Sequence, residues 1–167
     1  MDYLITGSEG VVGKSLQDIL LESEEINFAC IDTMHINREN YMRCDIGNFR
    51  QLSQAIKKFN PKIIINLAGE FGRWNGEDYY ENMWKTNAVG VKNLIFLQKE
   101  YGYKLVHASS SEVYGDYQGI FKEEVMDEEP IKQMNDYAIS KWVNELQIYN
   151  SISMHKVNSV IFRIFNT

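Results

Sequence analysis

Tyr137 and Lys141 stand four residues apart in "YAISK" (137–141), a spacing that puts both side chains on one face of a helix. An ammonium beside a phenol stabilises phenolate and draws the tyrosine down from its ordinary value of about 10, making it a usable general base. The chain has no other Y-x-x-x-K, and this one follows Asn135-Asp136, both helix-capping candidates. Near the other end, "TGSEGVVG" (6–13) spaces Gly7, Gly10 and Gly13 three apart. A strand-to-helix turn that approaches a pyrophosphate needs backbone without Cβ atoms and free N–H groups at the helix start. Gly7 would make the tight turn, Gly10 would admit the phosphate, and Gly13 would let helix pack on strand. Asp32 lies 19 residues beyond Gly13. A carboxylate there accepts hydrogen bonds from the adenosine ribose and repels a 2′-phosphate, which favours NAD over NADP.

Alternating elements must hold these residues. Residues 2–6 read as a short apolar strand leading into the glycine turn, and Val11, Val12, Leu16, Ile19 and Leu20 then recur at helical spacing. A second strand over 27–31 ends at Asp32. A helix over 48–59 turns Phe49, Leu52, Ile56 and Phe59 to one face and stops before Asn60-Pro61. The run "KIIINLA" (62–68) suits a strand covered on both faces. A long helix over 82–101, a strand over 104–109, an amphipathic helix over 136–150 and a strand over 157–165 complete the chain. In the helix 136–150, the periodicity places Ile139, Trp142, Val143, Leu146 and Tyr149 inward. The alternation predicts an α/β fold: a doubly wound parallel sheet, Rossmann-like, of five strands in the order 3-2-1-4-5, with helices on both faces.

The glycine spacing here is G-x-x-G-x-x-G, and further segments follow in order: "CDI" (44–46), "NLAG" (66–69), "TNAVGVKN" (86–93), "SSSEVYG" (109–115), "YAISK" (137–141) and "FRIFN" (162–166). Together they resemble the extended short-chain dehydrogenase/reductase family, specifically its NAD-dependent nucleotide-sugar epimerases and dehydratases. The resemblance runs from residue 2 to residue 166. It implies a cofactor site of Gly7, Gly10, Val11, Val12, Gly13, Asp32, Asp45, Ile46, Leu67, Ala68, Gly69 and Asn87, with Tyr137 and Lys141 at its nicotinamide end. It implies that Tyr137 takes a proton from a sugar hydroxyl, that Lys141 holds the nicotinamide ribose, and that Ser110 hydrogen-bonds the reacting oxygen. Glu112 points within the family towards 4,6-dehydratases and uronate decarboxylases, because a carboxylate beside C5 of a 4-keto sugar could remove the acidified C5 proton. A solvated loop acid is the alternative for Glu112. "NLAG" departs from the more usual H-x-A-A of the family, and His35, His107 and His155 fall at no motif position.

A net charge of −6 with no Lys/Arg cluster argues against a nucleic-acid surface. The start "MDYLITG" has no basic leader, and no apolar run approaches the roughly 18 residues of a membrane span. Cys30 and Cys44 lack metal-ligand and redox-motif spacing, so free buried thiols in a reducing, cytoplasmic compartment are expected and no metal is. The aromatic-rich stretch 70–84 suits core and interface packing better than substrate stacking. The resemblance also implies a homodimer through the helices at 82–101 and 136–150. Family members run to about twice this length, so the expected organisation is one NAD-binding Rossmann domain over 1–167. The part that grips the sugar nucleotide is missing, and turnover by the chain alone is expected to be weak or absent. A non-catalytic NAD-binding module and an oligomerisation unit of the same fold stand as alternatives.

Overall fold

The computed structural model describes residues 1–23, 25–71 and 79–165. Trp74 and its neighbours in the aromatic stretch, and Asn166, lie outside the described residues. Six parallel strands form one sheet: β1 (Tyr3–Thr6), β2 (Phe28–Asp32), β3 (Tyr41–Arg43), β4 (Ile63–Asn66), β5 (Lys104–Ser110) and β6 (Ser159–Ile164). Their order is β3-β2-β1-β4-β5-β6. This is one strand more than the sequence predicts, and the addition changes the neighbours. The place beside β2 belongs to Tyr41–Arg43, whose Tyr41 pairs in register with Cys30. The strand at 62–68 instead lies directly beside β1, with Ile63 opposite Tyr3.

The helices are α1 (Val11–Leu21), α2 (Phe49–Phe59), α3 (Tyr80–Trp84), α4 (Gly90–Tyr101), α5 (Val125–Glu128) and α6 (Asp136–His155), with Lys85–Val89 forming a π-helical turn between α3 and α4. On one face of the sheet, Leu4, Ile31, Ile64 and Leu105 pack against residues of α2, α4 and α6 such as Ile56, Leu94 and Ile148. On the other face, Ile5, Cys30 and Tyr41 meet Leu16 and Leu20 of α1. Val160 and Phe162 of β6 are 45% and 37% exposed. The strand order runs outward in opposite directions from β1 and β4, and the carboxyl ends of those two parallel strands open the crevice where such sheets hold ligands.

Two helices present different faces from those the periodicity suggests. Phe49 is exposed and meets Phe96 edge-on, with centroids 5.6 Å apart. On α6 the outward residues are Ile139, Leu146 and Tyr149, at 37%, 48% and 47% exposure. The buried face is instead Ala138, Lys141, Asn144, Glu145, Ile148 and Ser151. Of its polar members, Lys141 and Glu145 find partners on β5 and β6, described next, whereas the Asn144 amide and the Ser151 hydroxyl are buried without a hydrogen-bond partner among the described residues.

Candidate active site

Asn48 and Asn135 cap α2 and α6 by accepting from Gln51 N and Ala138 N, whereas α1 starts at Gly10 with no side-chain cap. Its first N–H groups are thus left for an anion at the positive end of the helix. Val11 and Val12, 85% and 48% exposed, flank that opening. Gly7 adopts φ +65°, and a Cβ there would stand 2.7 Å from the Ala68 backbone. At Gly13 a Cβ would stand 2.5 Å from the Gly7 carbonyl oxygen. Gly10 faces open space, with only that same carbonyl 3.4 Å from a would-be Cβ. Two glycines thus close the turn and the third leaves room above it, a cradle that fits a pyrophosphate.

Asp32 ends β2 beside this turn. Its Oδ2 accepts from Glu9 N at 2.9 Å and its Oδ1 from Met34 N at 3.2 Å, which fixes the carboxylate at the mouth of the crevice. Gly7, Asp32, Asp45, Ile46, Ala68 and Gly69 line one cleft. Asp45 is braced within it by Gly47 N at 2.8 Å and Lys85 Nζ at 2.6 Å. Ile46 is buried under Gly90, and Leu67 packs with the cluster below α1. Asn87, placed with the cofactor residues by the sequence, sits buried in the π-helical turn with its amide engaged. Its Oδ1 accepts from Glu70 N at 2.8 Å, and its Nδ2 donates to Ser140 Oγ at 3.0 Å, tying the loop after β4 to α6. π-turns of this kind recur at functional sites.

The second group gathers where β5 ends. Ser110 Oγ accepts from Glu112 N at 3.2 Å, and Glu112 Oε2 accepts from Asn135 Nδ2 at 2.7 Å. Since Asn135 also caps α6, Glu112 is latched to the start of the helix that carries Tyr137. Burial pushes the Tyr137 phenol above its ordinary value; the Ser110 hydroxyl beside it pulls it down and the Glu112 carboxylate pushes it further up. Lys141 Nζ lies 5.7 Å from the Tyr137 ring centroid and donates to the Ala108 carbonyl at 3.1 Å. Burial lowers its ammonium to about 8, against the pull of the Glu145 carboxylate one turn along α6. The protein by itself therefore holds Tyr137 as a neutral phenol, the opposite of what the Tyr–Lys spacing suggests, because desolvation and the Glu112 carboxylate outweigh the Ser110 hydroxyl. A Cβ on Gly69 would stand 3.2 Å from Lys141 Nζ, so this cleft-lining glycine leaves room for the buried ammonium beside it.

Beneath the site run two polar rows that sequence reasoning missed. Thr6, Asn66 and His107 are neighbours in register on β1, β4 and β5, joined from the Thr6 hydroxyl to Asn66 Oδ1 and from Asn66 Nδ2 to His107 Nδ1 at 2.9 Å. Burial holds His107 neutral, well below the usual histidine range. Ser109 and Arg163, in register on β5 and β6, both donate to the fully buried Glu145. The Arg163–Glu145 fork spans 3.1 and 2.8 Å, and Arg163 Nη1 also donates to the Tyr114 hydroxyl at 2.7 Å. "FRIFN" contains this arginine, but the sequence alone gives it no partner.

Comparison with known proteins gives the same assignment as this geometry. The chain is 27% identical over 98% of its length to a UDP-glucuronate 4-epimerase of Thermodesulfobacterium geofontis, covering 55% of that protein. It is 30% identical over 98% of its length to UDP-glucuronic acid decarboxylase 1 of Xenopus tropicalis, covering 40% of it. A dTDP-glucose 4,6-dehydratase of Bacillus anthracis, solved with NAD, superposes with a TM-score of 0.79 at 26% identity, covering 98% of this chain and 54% of that one. The chain thus spans about half the length of the relatives it matches. Residues 3–167 match the family described as NAD dependent epimerase/dehydratase. With a glycine cradle, an aspartate at the second strand end and a dinucleotide-binding sheet, the chain belongs to the NAD-dependent epimerase/dehydratase family, and NAD is its cofactor.

Proposed function

We propose that this chain carries the cofactor and proton-transfer half of a nucleotide-sugar 4,6-dehydratase or decarboxylase. The single observation behind this reading is the convergence of Ser110, Glu112 and Tyr137 at the end of β5, with Lys141 one turn below. A plain NAD-binding module has no use for a phenol, a hydroxyl and a carboxylate gathered there. Gly7, Gly10, Gly13 and Asp32 would hold NAD, which would supply the acceptor for a hydride from a sugar carbon. Tyr137 receives the proton of the hydroxyl on that carbon, and Ser110 holds the same oxygen. Lys141 supplies positive charge beside the phenol and so stabilises its ionised form during the transfer. Glu112 then removes the C5 proton made acidic by the C4 ketone, and the electron pair so released expels the C6 hydroxyl as water, which favours elimination over simple inversion. In a uronate the C6 carboxylate leaves as carbon dioxide without loss of the C5 proton, so this role of Glu112 belongs to the elimination.

Single-turnover mixing of the NAD-loaded chain with UDP-glucuronate or dTDP-glucose tests these roles through the near-ultraviolet absorbance of reduced nicotinamide. Tyr137→Phe is expected to slow reduction by roughly 100- to 10,000-fold. Glu112→Gln, which keeps an acceptor for Asn135, is expected to spare reduction and abolish the eliminated product from dTDP-glucose. Reduction at the normal rate in Tyr137→Phe would remove Tyr137 as the base, normal eliminated product from Glu112→Gln would remove Glu112 from the elimination, and an inverted sugar as the wild-type product would make the reaction an epimerisation.

A homodimer is part of the proposal. Its support is an outward apolar set, Val89 of the π-helical turn and Phe96 of α4 with Ile139 and Leu146 of the packed helix α6. Light scattering should give twice the monomer mass, falling to the monomer value in Leu146→Asp; a monomeric wild type counts against it. Cys30 and Cys44, unpaired and pushed by burial up to about 11 and about 12, fit a reducing, cytoplasmic compartment.

A further inference from the structure

Glu9 occupies the glycine turn directly before Gly10, yet its side chain is only 11% exposed. Its Oε1 accepts from Arg38 Nη2 at 3.2 Å and from Ser8 Oγ at 3.3 Å. Its backbone N–H is the one that fixes Asp32 Oδ2. Arg38 arrives from the segment between β2 and β3, and its guanidinium carbon lies 5.4 Å from the Tyr41 ring centroid. Glu9 thus joins Asp32, which lines the cleft, through its backbone N–H and Arg38 through its carboxylate. Among the described residues, Arg38 pairs with Glu9, and Asp32 takes only backbone and hydroxyl donors.

This arrangement has a consequence for cofactor choice. A 2′-phosphate is held by an arginine at the end of the second strand, and a planar guanidinium suits it because it binds phosphate oxygens in pairs. Here such a guanidinium exists, but a carboxylate from the phosphate-binding turn holds it by one nitrogen, Nη2, and sets a negative charge beside it. We propose that Glu9 sequesters Arg38, and that this pair, alongside Asp32, is a second determinant excluding a 2′-phosphorylated dinucleotide. The inference rests on the crevice being the NAD site. Arg38 is 42% exposed, and an ion pair that open contributes little to stability. Releasing it is therefore feasible without unfolding the turn.

Titration with NADH and NADPH, followed by nicotinamide fluorescence, reads the pair without requiring turnover. The wild-type chain should prefer NADH. Glu9→Gln should tighten NADPH by roughly tenfold, the size of one charge-assisted hydrogen bond, and leave NADH nearly unchanged. Adding Arg38→Gln to Glu9→Gln should cancel that gain. An unchanged preference in Glu9→Gln, or a gain that survives loss of Arg38, overturns the proposal. If thermal melting shows that Glu9→Gln does not fold, Arg38→Gln alone decides. It is expected to leave NADH binding intact and weaken NADPH further, and tighter NADPH binding in it overturns the proposal. A wild-type chain that binds neither dinucleotide overturns the cofactor assignment and the inference with it, whereas loss of the pair alone leaves wild-type NADH binding in place.

Discussion

Glu145→Ala is expected to destabilise the fold by about 3–5 kcal/mol, the usual cost of removing one partner from a buried ion pair. Glu145 is fully buried and accepts from Ser109 Oγ, Arg163 Nε and Arg163 Nη2. Without it the guanidinium keeps only the Tyr114 hydroxyl at 2.7 Å and the Glu123 carbonyl at 3.3 Å, neither of which carries a compensating charge. The pair itself need not be worth that much. Desolvating two charges offsets most of their attraction, so Glu145→Leu with Arg163→Met should recover most of the loss. Urea denaturation of the three proteins separates these terms, with equal slopes showing that the denatured state has not changed. A loss below about 1 kcal/mol in Glu145→Ala would mean that solvent reaches Arg163 and that the network is not a dry one. The effect reaches the chemistry as well. Glu145 is the group that opposes the drop in the Lys141 ammonium, so its removal lets Lys141 fall further and lose charge beside Tyr137.

What could be read from the sequence divides along the same physical line. The glycine cradle and the Tyr137–Lys141 pair are local: a three-residue glycine spacing or a four-residue helical spacing already states which atoms share a side. Asp32 is nearly local, because a strand of known length ends where its carboxylate is needed. β3 left no such trace. It is three residues long, only its Tyr41 is buried, and no period can be read from one residue. Missing it misplaced the strand at 62–68 in the sheet order. On α6 the apolar period was plain, yet it marks the outer face, with Ile139, Leu146 and Tyr149 exposed. On the inner face Glu145 is matched by Ser109 and Arg163 on the strands below, and that match exists only after the chain has folded. The π-helical turn is equally silent in sequence. It rests on Asn87 reaching both Glu70 and Ser140, which are 17 and 53 residues away.

Lys141→Met is expected to make the protein more stable and less functional. Burial lowers the Lys141 ammonium from 10.5 to about 8, so holding its charge in the folded state costs about 3 kcal/mol where both states are protonated. Losing the bond to the Ala108 carbonyl returns about 1 kcal/mol of that, so the variant should gain about 2 kcal/mol at pH 7. The sign of the pH dependence identifies the cause. Below about 8 the wild type carries the whole penalty. Between about 8 and 10.5 the folded protein releases the proton while the unfolded chain still binds it, so wild-type stability rises relative to the variant. Above that window both lysines are neutral and the advantage of methionine disappears. Taking the difference between the two proteins removes the tyrosine titrations, which both share. Urea denaturation at pH 7 and again near the top of the window measures it, and a variant less stable than wild type at pH 7 refutes the argument. The same substitution should weaken NADH binding, because it removes the ammonium beside the cleft-lining Gly69. A buried lysine that lowers stability and yet is retained in the chain is what a charge kept for chemistry looks like, since packing alone would favour an apolar residue there.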